Sequence, residues 1–268
     1  MKNNRRAVED RQHKLQQMVA EQGEISVEEM AEKLSVSAMT IRRDLSVLSD
    51  KGLLIRRHGS ALSIPLAEKM NRESRNMAIY RDAISAYAAK LVSDGDKIFI
   101  NGSRTALNLL RYTGEKKVHV VTNNGWALDG QYPENVHIRM IGGYIYDHIL
   151  VGEYAVESLI GLTADKLFIG CAAVYGDGKF RYDIPSEIGI NEMMVSRTDG
   201  DIYVLADHSK LRDKEEQMVF YGSFRYPVPV TLITNEEADP DMLEKLSLAG
   251  IRILTVSLDG KLTGDISL

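Results

Sequence analysis

Up to about residue 62 the apolar positions recur at helical spacing, and beyond residue 77 they gather into short runs separated by polar turns, so the two halves of this chain predict different architectures. Val8, Leu15, Met18 and Val19 form one face of a helix from about Arg5 to Glu21, which Gly23 ends as a C-cap. Ser26 is an N-cap for a second helix, with Glu29 in capping-box position and Val27, Met30, Ala31 and Leu34 at i, i+3, i+4 and i+7. "SVS" at 35–37 is a tight turn, and Ser37 caps a third helix, "AMTIRRDLSVLSDKG", whose Ile41, Leu45 and Leu48 point inward. This is a helix-turn-helix. After Gly52, "LLIRRHGSAL" reads as an apolar strand ending in a basic Gly-Ser turn, the pattern of a wing.

Residues 63–76, polar and containing Pro65, read as a linker, helical in part. From Met77 the pattern is a helix to about Leu91, the strand "DGDKIFI", the turn "INGSRT", and a helix to about Tyr112. The strands "VHVVT", "VHIRMIGG", "KLFIG", "DIYVLAD", "VTLIT" and "IRILTV" follow, with helices at "EYAVESLIGL", "EIGINEMMVS" and "PDMLEKLSLAG" between them. Strands alternating with helices predict a mostly parallel sheet covered on both faces. The expected organisation is a winged helix-turn-helix over 1–62, a linker over 63–76 and a Rossmann-like α/β domain over 77–268.

Composition adds location to this outline. The 268 residues, 44% hydrophobic, suffice for two cores, and a net charge of −5 restricts any nucleic-acid binding to a local surface. That surface is N-terminal: residues 1–62 carry 11 Lys and Arg against 9 Asp and Glu, and the remainder 22 against 29. No run approaches a membrane span and the charged N-terminus has no signal-peptide core, so a cytoplasmic chain without membrane contact is expected. Cys171 is the single cysteine, which excludes an internal disulfide and a cysteine zinc cluster; no metal or cofactor is expected.

With Ile41, Leu45 and Leu48 inside, the third helix presents Met39, Thr40, Arg42 and Arg43 outward, with Ser37 at its N-terminus. Early recognition-helix residues reach base edges in the major groove while arginines take guanine or phosphate. Arg56, Arg57 and His58 of the wing are placed to brace the phosphate backbone. Double-stranded operator DNA is the expected partner.

In the second domain, ligands of such sheets sit beyond the C-terminal strand ends. Those ends carry Asn101, Gly102, Ser103, Arg104 and Thr105; Thr122, Asn123 and Asn124; Gly142 and Gly143; Gly170, Cys171 and Ala172; and Asp207, His208, Ser209 and Lys210. Small residues, amides, hydroxyls and a lysine suit a phosphorylated sugar, sugar alcohol or sugar acid. Asp177, Asp183, Glu187 and Asp207 are candidate acids for an isomerase, yet no nucleophile turn, zinc spacing or Walker loop accompanies them, and no catalytic residue is assigned. The alternative of a sugar-phosphate isomerase-like enzyme with an appended DNA-binding domain stays open.

"ISVEEMAEKLSVSAMTIRRDLSVLSDKGLLIRRHGSA" resembles the N-terminal signature of DeoR-type bacterial transcriptional regulators, and "VVTNN", "MIGG", "DKLFIG" and "LADHSK" resemble the landmarks of their sensor domain. The resemblance implies a repressor of a carbohydrate-use operon whose C-terminal domain is similar in fold to ribose-phosphate isomerases and CoA-transferase-like proteins and binds a sugar phosphate. It implies Asn123, Gly142, Gly143, Gly170, Asp207 and Lys210 as pocket residues, with Glu187 matching a family acid. Three departures stand out. His58-Gly59-Ser60-Ala61 replaces His-Gly-Gly-Ala; "INGSRT" has Asn101 or a shifted register where the family has an Asp; and Asn191-Glu192 stand where a basic pair is common. The last two imply a different effector from the commonest one. Two recognition helices for two half-sites imply a homodimer or homotetramer. Relief of repression by ligand is the family expectation, with activation the minority case.

Overall fold

The computed structural model describes residues 2–213 and 229–267. They form two compact units, 1–76 and 77–268. The first unit runs α1 (Lys2–Gln22), β1 (Glu24–Ser26), α2 (Val27–Leu34), α3 (Ala38–Asp50), β2 (Ile55–Arg57) and β3 (Ser60–Leu62). Gly23 closes α1 in the left-handed region (φ 79°), and Ser26 and Ser37 cap α2 and α3 by accepting from the Glu29 and Thr40 N–H groups. Only half of the capping box forms, because the Glu29 carboxylate turns to Lys33. Ile41, Leu45 and Leu48 meet Leu15, Val19, Ile25, Val27 and Met30 in one core, with Met18, Ala31 and Leu34 packed at its margin.

The wing has one more strand than expected. Residues 24–26 pair antiparallel with β3, giving the order β1-β3-β2. At its tip Gly59 is left-handed (φ 85°) and Ser60 is not, which is why a serine is accommodated in place of a second glycine. The polar stretch expected as a linker is helical from Ile64, the first residue of α4 (Ile64–Lys90). Pro65 lies in the first turn, where a missing N–H costs little.

The second unit continues with β4 (Lys97–Ile100), α5 (Arg104–Asn108), β5 (Val118–Thr122), β6 (Val136–Met140), β7 (Tyr144–Tyr146), β8 (Ile149–Val151), α6 (Glu153–Glu157) and β9 (Ala164–Gly170). Then come β10 (Ala173–Tyr175), β11 (Phe180–Arg181), α7 (Pro185–Ser196), β12 (Thr198–Leu205), β13 (Leu211–Arg212), β14 (Val230–Asn235), α8 (Pro240–Leu248), β15 (Arg252–Val256) and β16 (Leu262–Ile266). Among the described residues, eight strands build the main sheet in the order β16-β15-β14-β12-β9-β4-β5-β6. All pairs are parallel except β15 with β16.

The central strands are apolar on both faces because both faces are covered. Phe99, Leu167, Ile169, Ile202, Val204, Leu232 and Ile253 enter one core, and the alternate residues Ile98, Ile100, Phe168, Tyr203, Leu205, Ile233 and Leu254 enter the other. A one-residue slip in any of these strands would exchange the two sets.

Several details depart from the sequence pattern. The helix after the opening turn is short: α5 gives way to a 3-10 turn over Leu109–Tyr112. In "EYAVESLIGL" only Glu153–Glu157 is α-helical. The hairpin β7–β8 was not expected; its turn residues Asp147 (φ 45°) and His148 (φ 64°) are both left-handed, the geometry of a two-residue hairpin turn. Among the described residues no helix is long and apolar enough to cross a membrane.

Candidate functional sites

Helix α3 and the wing carry the candidate DNA-facing residues. Ser37, Met39, Arg42, Arg43, Arg56, Arg57 and His58 are exposed, and Thr40 is half-buried, with its hydroxyl 2.9 Å from that of Ser37. Arg42 reaches Glu28 at 3.3 Å, and Arg56 donates to the Ser46 hydroxyl at 3.2 Å. Both contacts are exposed and cost little to give up. Arg43 and Arg57 have no ion-pair partner among the described residues. One acid that the sequence counted against this basic stretch is removed from the surface. Asp44 is buried, and its carboxylate accepts from Arg11 Nε at 2.5 Å and from the Gln12 amide at 3.1 Å.

The α/β unit holds a cavity of about 660 Å³ at the C-terminal ends of β4 and β9. Asn101, Gly102, Ser103, Arg104, Thr105, Gly170, Cys171, Glu187 and Lys210 line it. So do Arg81, Asp82, Asn108, Arg111, Trp126, Asp129, Tyr132 and Asp183, which the strand-end rule does not reach because they come from helices and longer loops. Four cations therefore face one space. Arg81 is paired with Asp207 at 2.7 Å, whereas Arg104, Arg111 and Lys210 make no salt bridge among the described residues. Arg104 lies over the Trp126 ring, 5.5 Å from its centroid, and Trp126 stacks on His148.

The opening turn lacks an acid in its own sequence, and the fold supplies one. Glu187, from the first turn of α7, accepts from the Gly102 N–H at 3.1 Å. A Cβ on Gly102 would lie 2.6 Å from Glu187 Oε1 and 2.6 Å from Ile149 Cδ1, so the glycine is what admits the carboxylate. Burial raises the Glu187 pKa above its ordinary value, opposed by the Gly102 N–H and the Asn123 amide. Such a group favours folding while protonated, and that contribution is lost as pH rises through the ordinary carboxylate range and on through the raised pKa. Replacement Glu187→Gln is expected to flatten this decline, read from urea denaturation between about pH 4 and pH 8.

Asn101 is engaged by the backbone. Its Oδ1 accepts from the Gly170 N–H at 3.0 Å and the Ser103 N–H at 3.2 Å, and its Nδ2 donates to the Gly170 carbonyl at 3.1 Å. The amide thus ties β4 to β9 and shapes the turn. Lys210 Nζ donates to the Cys171 carbonyl at 2.6 Å, and burial pushes the Cys171 thiol up to about 12, far from a reactive thiolate. His208 is held by Asn235 and edges onto Tyr80.

The strand-end residues Thr122, Asn123, Asn124, Gly142, Gly143, Asp207, His208 and Ser209 do not line the cavity. Thr122 accepts from the Asn124 N–H, and Asn123 is buried beside Glu187. Gly142 and Gly143 lead into the β7–β8 hairpin, with the Gly142 N–H donating to Ser158. Asp207 is buried, which alone would raise its pKa; the Ser209 hydroxyl, Arg81 and Lys210 outweigh this and hold it below the ordinary value. Among the described residues no cluster of three metal-ligating side chains occurs.

Comparison with known proteins agrees with this two-part organisation. Residues 11–65 match the DeoR-like helix-turn-helix domain, and residues 78–224 match the DeoR C terminal sensor domain. The uncharacterized HTH-type transcriptional regulator YulB of Bacillus subtilis is 29% identical over 94% of this chain and 98% of that protein. The glycerol-3-phosphate regulon repressor of Haemophilus influenzae is 31% identical over 75% of this chain and 80% of that protein. The lactose phosphotransferase system repressor of Streptococcus mutans is 28% identical over 89% of this chain and 96% of that protein. Among solved structures, ribose 5-phosphate isomerase A of Methanocaldococcus jannaschii aligns over 52% of this chain and 56% of that one, at 17% identity and TM-score 0.38, too distant to bear on activity. With the sensor family alone matching more than half of its length, and the helix-turn-helix family most of the rest of its N-terminal unit, this chain belongs to the DeoR family of DNA-binding transcriptional regulators.

Proposed function

We propose that the chain represses a carbohydrate-use operon in the cytoplasm, as a homodimer or homotetramer on operator DNA, and that a phosphorylated sugar, sugar alcohol or sugar acid in the α/β cavity controls it. The observation that carries this reading is the cavity in which Arg104, Arg111 and Lys210 stand without salt-bridge partners among the described residues, beside Asn108, Ser103, Thr105 and Tyr132. Unpaired cations in a concave site favour a phosphate or carboxylate, and the amide and hydroxyls suit a polyol. The printed names of the glycerol-3-phosphate and lactose phosphotransferase relatives support the same chemical class. Ligand control follows if the ligand binds the DNA-competent and DNA-incompetent states with different affinities. The family expectation makes the ligand-bound state the weaker DNA binder.

The direct test is a thermal-shift screen of the full chain against phosphorylated sugars, sugar alcohols and sugar acids and their unphosphorylated counterparts. A ligand at about 100 times its Kd is expected to raise Tm by roughly 5–10 °C. Arg104→Ala and Lys210→Ala are each expected to weaken that ligand about 10- to 100-fold while leaving DNA binding of the ligand-free protein unchanged. Equal shifts from the phosphate- or carboxylate-bearing ligands and from their neutral counterparts sink the effector class. The cavity serves sensing rather than catalysis in this reading, and steady turnover of a sugar phosphate by the chain would overturn it, with Glu187 then the first acid to replace.

A further inference from the structure

The hairpin β7–β8 forms a two-stranded sheet of its own, so among the described residues β7 is paired on one side only. Its three side chains are all turned to solvent: Tyr144 is 69% exposed, Ile145 79% and Tyr146 60%, and Tyr154 just beyond the hairpin is 65% exposed. Edge strands are ordinarily guarded by lysine, proline, a bulge or a covering element. Among the described residues none of these guards is present at β7, and from Ile141 to Gly152 the sole Asp, Glu, Lys, Arg or His residues are Asp147 and His148 in the turn. A lone hairpin of this length is marginal by itself.

We propose that β7 is the seam between two copies of this chain, each β7 adding antiparallel to the other across a two-fold axis at Ile145. The edge is neutral, which fits a neutral partner and neither DNA nor an acidic surface. It is also self-complementary: antiparallel pairing about Ile145 sets Tyr144 opposite Tyr146 of the partner subunit and the reverse, and aromatic cross-strand pairs stabilise a sheet. Four large side chains at these exposures offer about 500 Å² per copy, against the roughly 800 Å² per partner of a stable interface. Backbone and flanking surface supply the remainder. The same hairpin sends Ile149 into the lining of the cavity, so this interface and the candidate ligand site share one structural element.

The experiment uses the full chain carrying Ile145→Cys. The native Cys171 is buried, so wild-type protein under mild oxidation is expected to stay uncrosslinked on a non-reducing gel, whereas Ile145→Cys is expected to run mostly as a covalent dimer. A Leu258→Cys control, exposed but on the β15–β16 turn, should crosslink little. In a second variant, Ile145→Lys places like charges across the seam and is expected to weaken self-association at least about tenfold by sedimentation velocity. Residue 145 is mostly exposed, so an unchanged circular dichroism spectrum should accompany that loss, with Tm falling only as far as the lost association accounts for. Absence of crosslinking in Ile145→Cys, an unaltered assembly in Ile145→Lys, or a wild-type chain that is monomeric at micromolar concentration would each overturn the proposal.

Discussion

Arg43→Ala is expected to weaken operator binding about 5- to 150-fold and to relax base preference, the loss of one bidentate base contact worth roughly 1–3 kcal/mol. Arg57→Ala is expected to act differently, lowering affinity evenly across sequences and reducing the salt slope by about one. The contrast follows from placement. Arg43 projects from the early part of α3, on the side opposite the core residues Ile41, Leu45 and Leu48, while Arg57 ends β2 in the wing. Fluorescence anisotropy over a salt series, with a selected operator and a scrambled duplex, separates the two roles. Unchanged binding in both variants would remove α3 and the wing from the DNA-facing surface.

Asp44→Ala carries the second large effect. Its carboxylate is held 2.5 Å from Arg11 Nε and 3.1 Å from Gln12 Nε2, locking α1 onto α3. Removing one partner of a buried pair costs about 3–5 kcal/mol where the other charge is left stranded. Arg11 keeps 21% of its side chain exposed and can turn toward water, so a loss of about 2–3 kcal/mol is expected. A unit of 76 residues has little stability to spare, and DNA affinity should fall with it even though Asp44 is turned away from the surface. Thermal unfolding of the variant reads the first effect and operator titration the second. Wild-type values in both would show that the clamp contributes nothing.

The two variants also mark what could be read from the chain in order. Arg43 was legible because helical periodicity assigns one face to the core and leaves the rest outside, a signal complete within α3. The caps at Ser26 and Ser37 were legible for the same reason, since each acts on an N–H three residues away. Asp44 was not. Its partner Arg11 lies 33 residues earlier, and counting it as a surface acid understated how basic the outward face is.

The cavity divides in the same way. The strand-end rule found Asn101–Thr105, Gly170, Cys171 and Lys210, because a parallel sheet with helices on both faces has a single end at which its loops converge. It also drew in Thr122, Gly142, Gly143 and Asp207, which lie at strand ends but serve turns or ion pairs beside the cavity. Asn101 stood out as a departure from the family pattern. Its amide is committed to the Gly170 backbone and the Ser103 N–H, which leaves Arg104 as the departure with an exposed side chain at the cavity.

By itself the sequence determined the elements whose causes are local: three capped helices, a basic turn, apolar strands alternating with helices, and the split between a basic N-terminal and an acidic C-terminal part. Tertiary structure alone decided which distant groups meet. Glu187 reaches the opening turn across 85 residues, Arg81 clamps Asp207 across 126, and among the described residues the β7–β8 hairpin stands with one edge unpaired. Periodicity and capping act over a single turn or strand, whereas strand order and crossovers set those meetings, and strand order leaves no local mark on the residues it brings together.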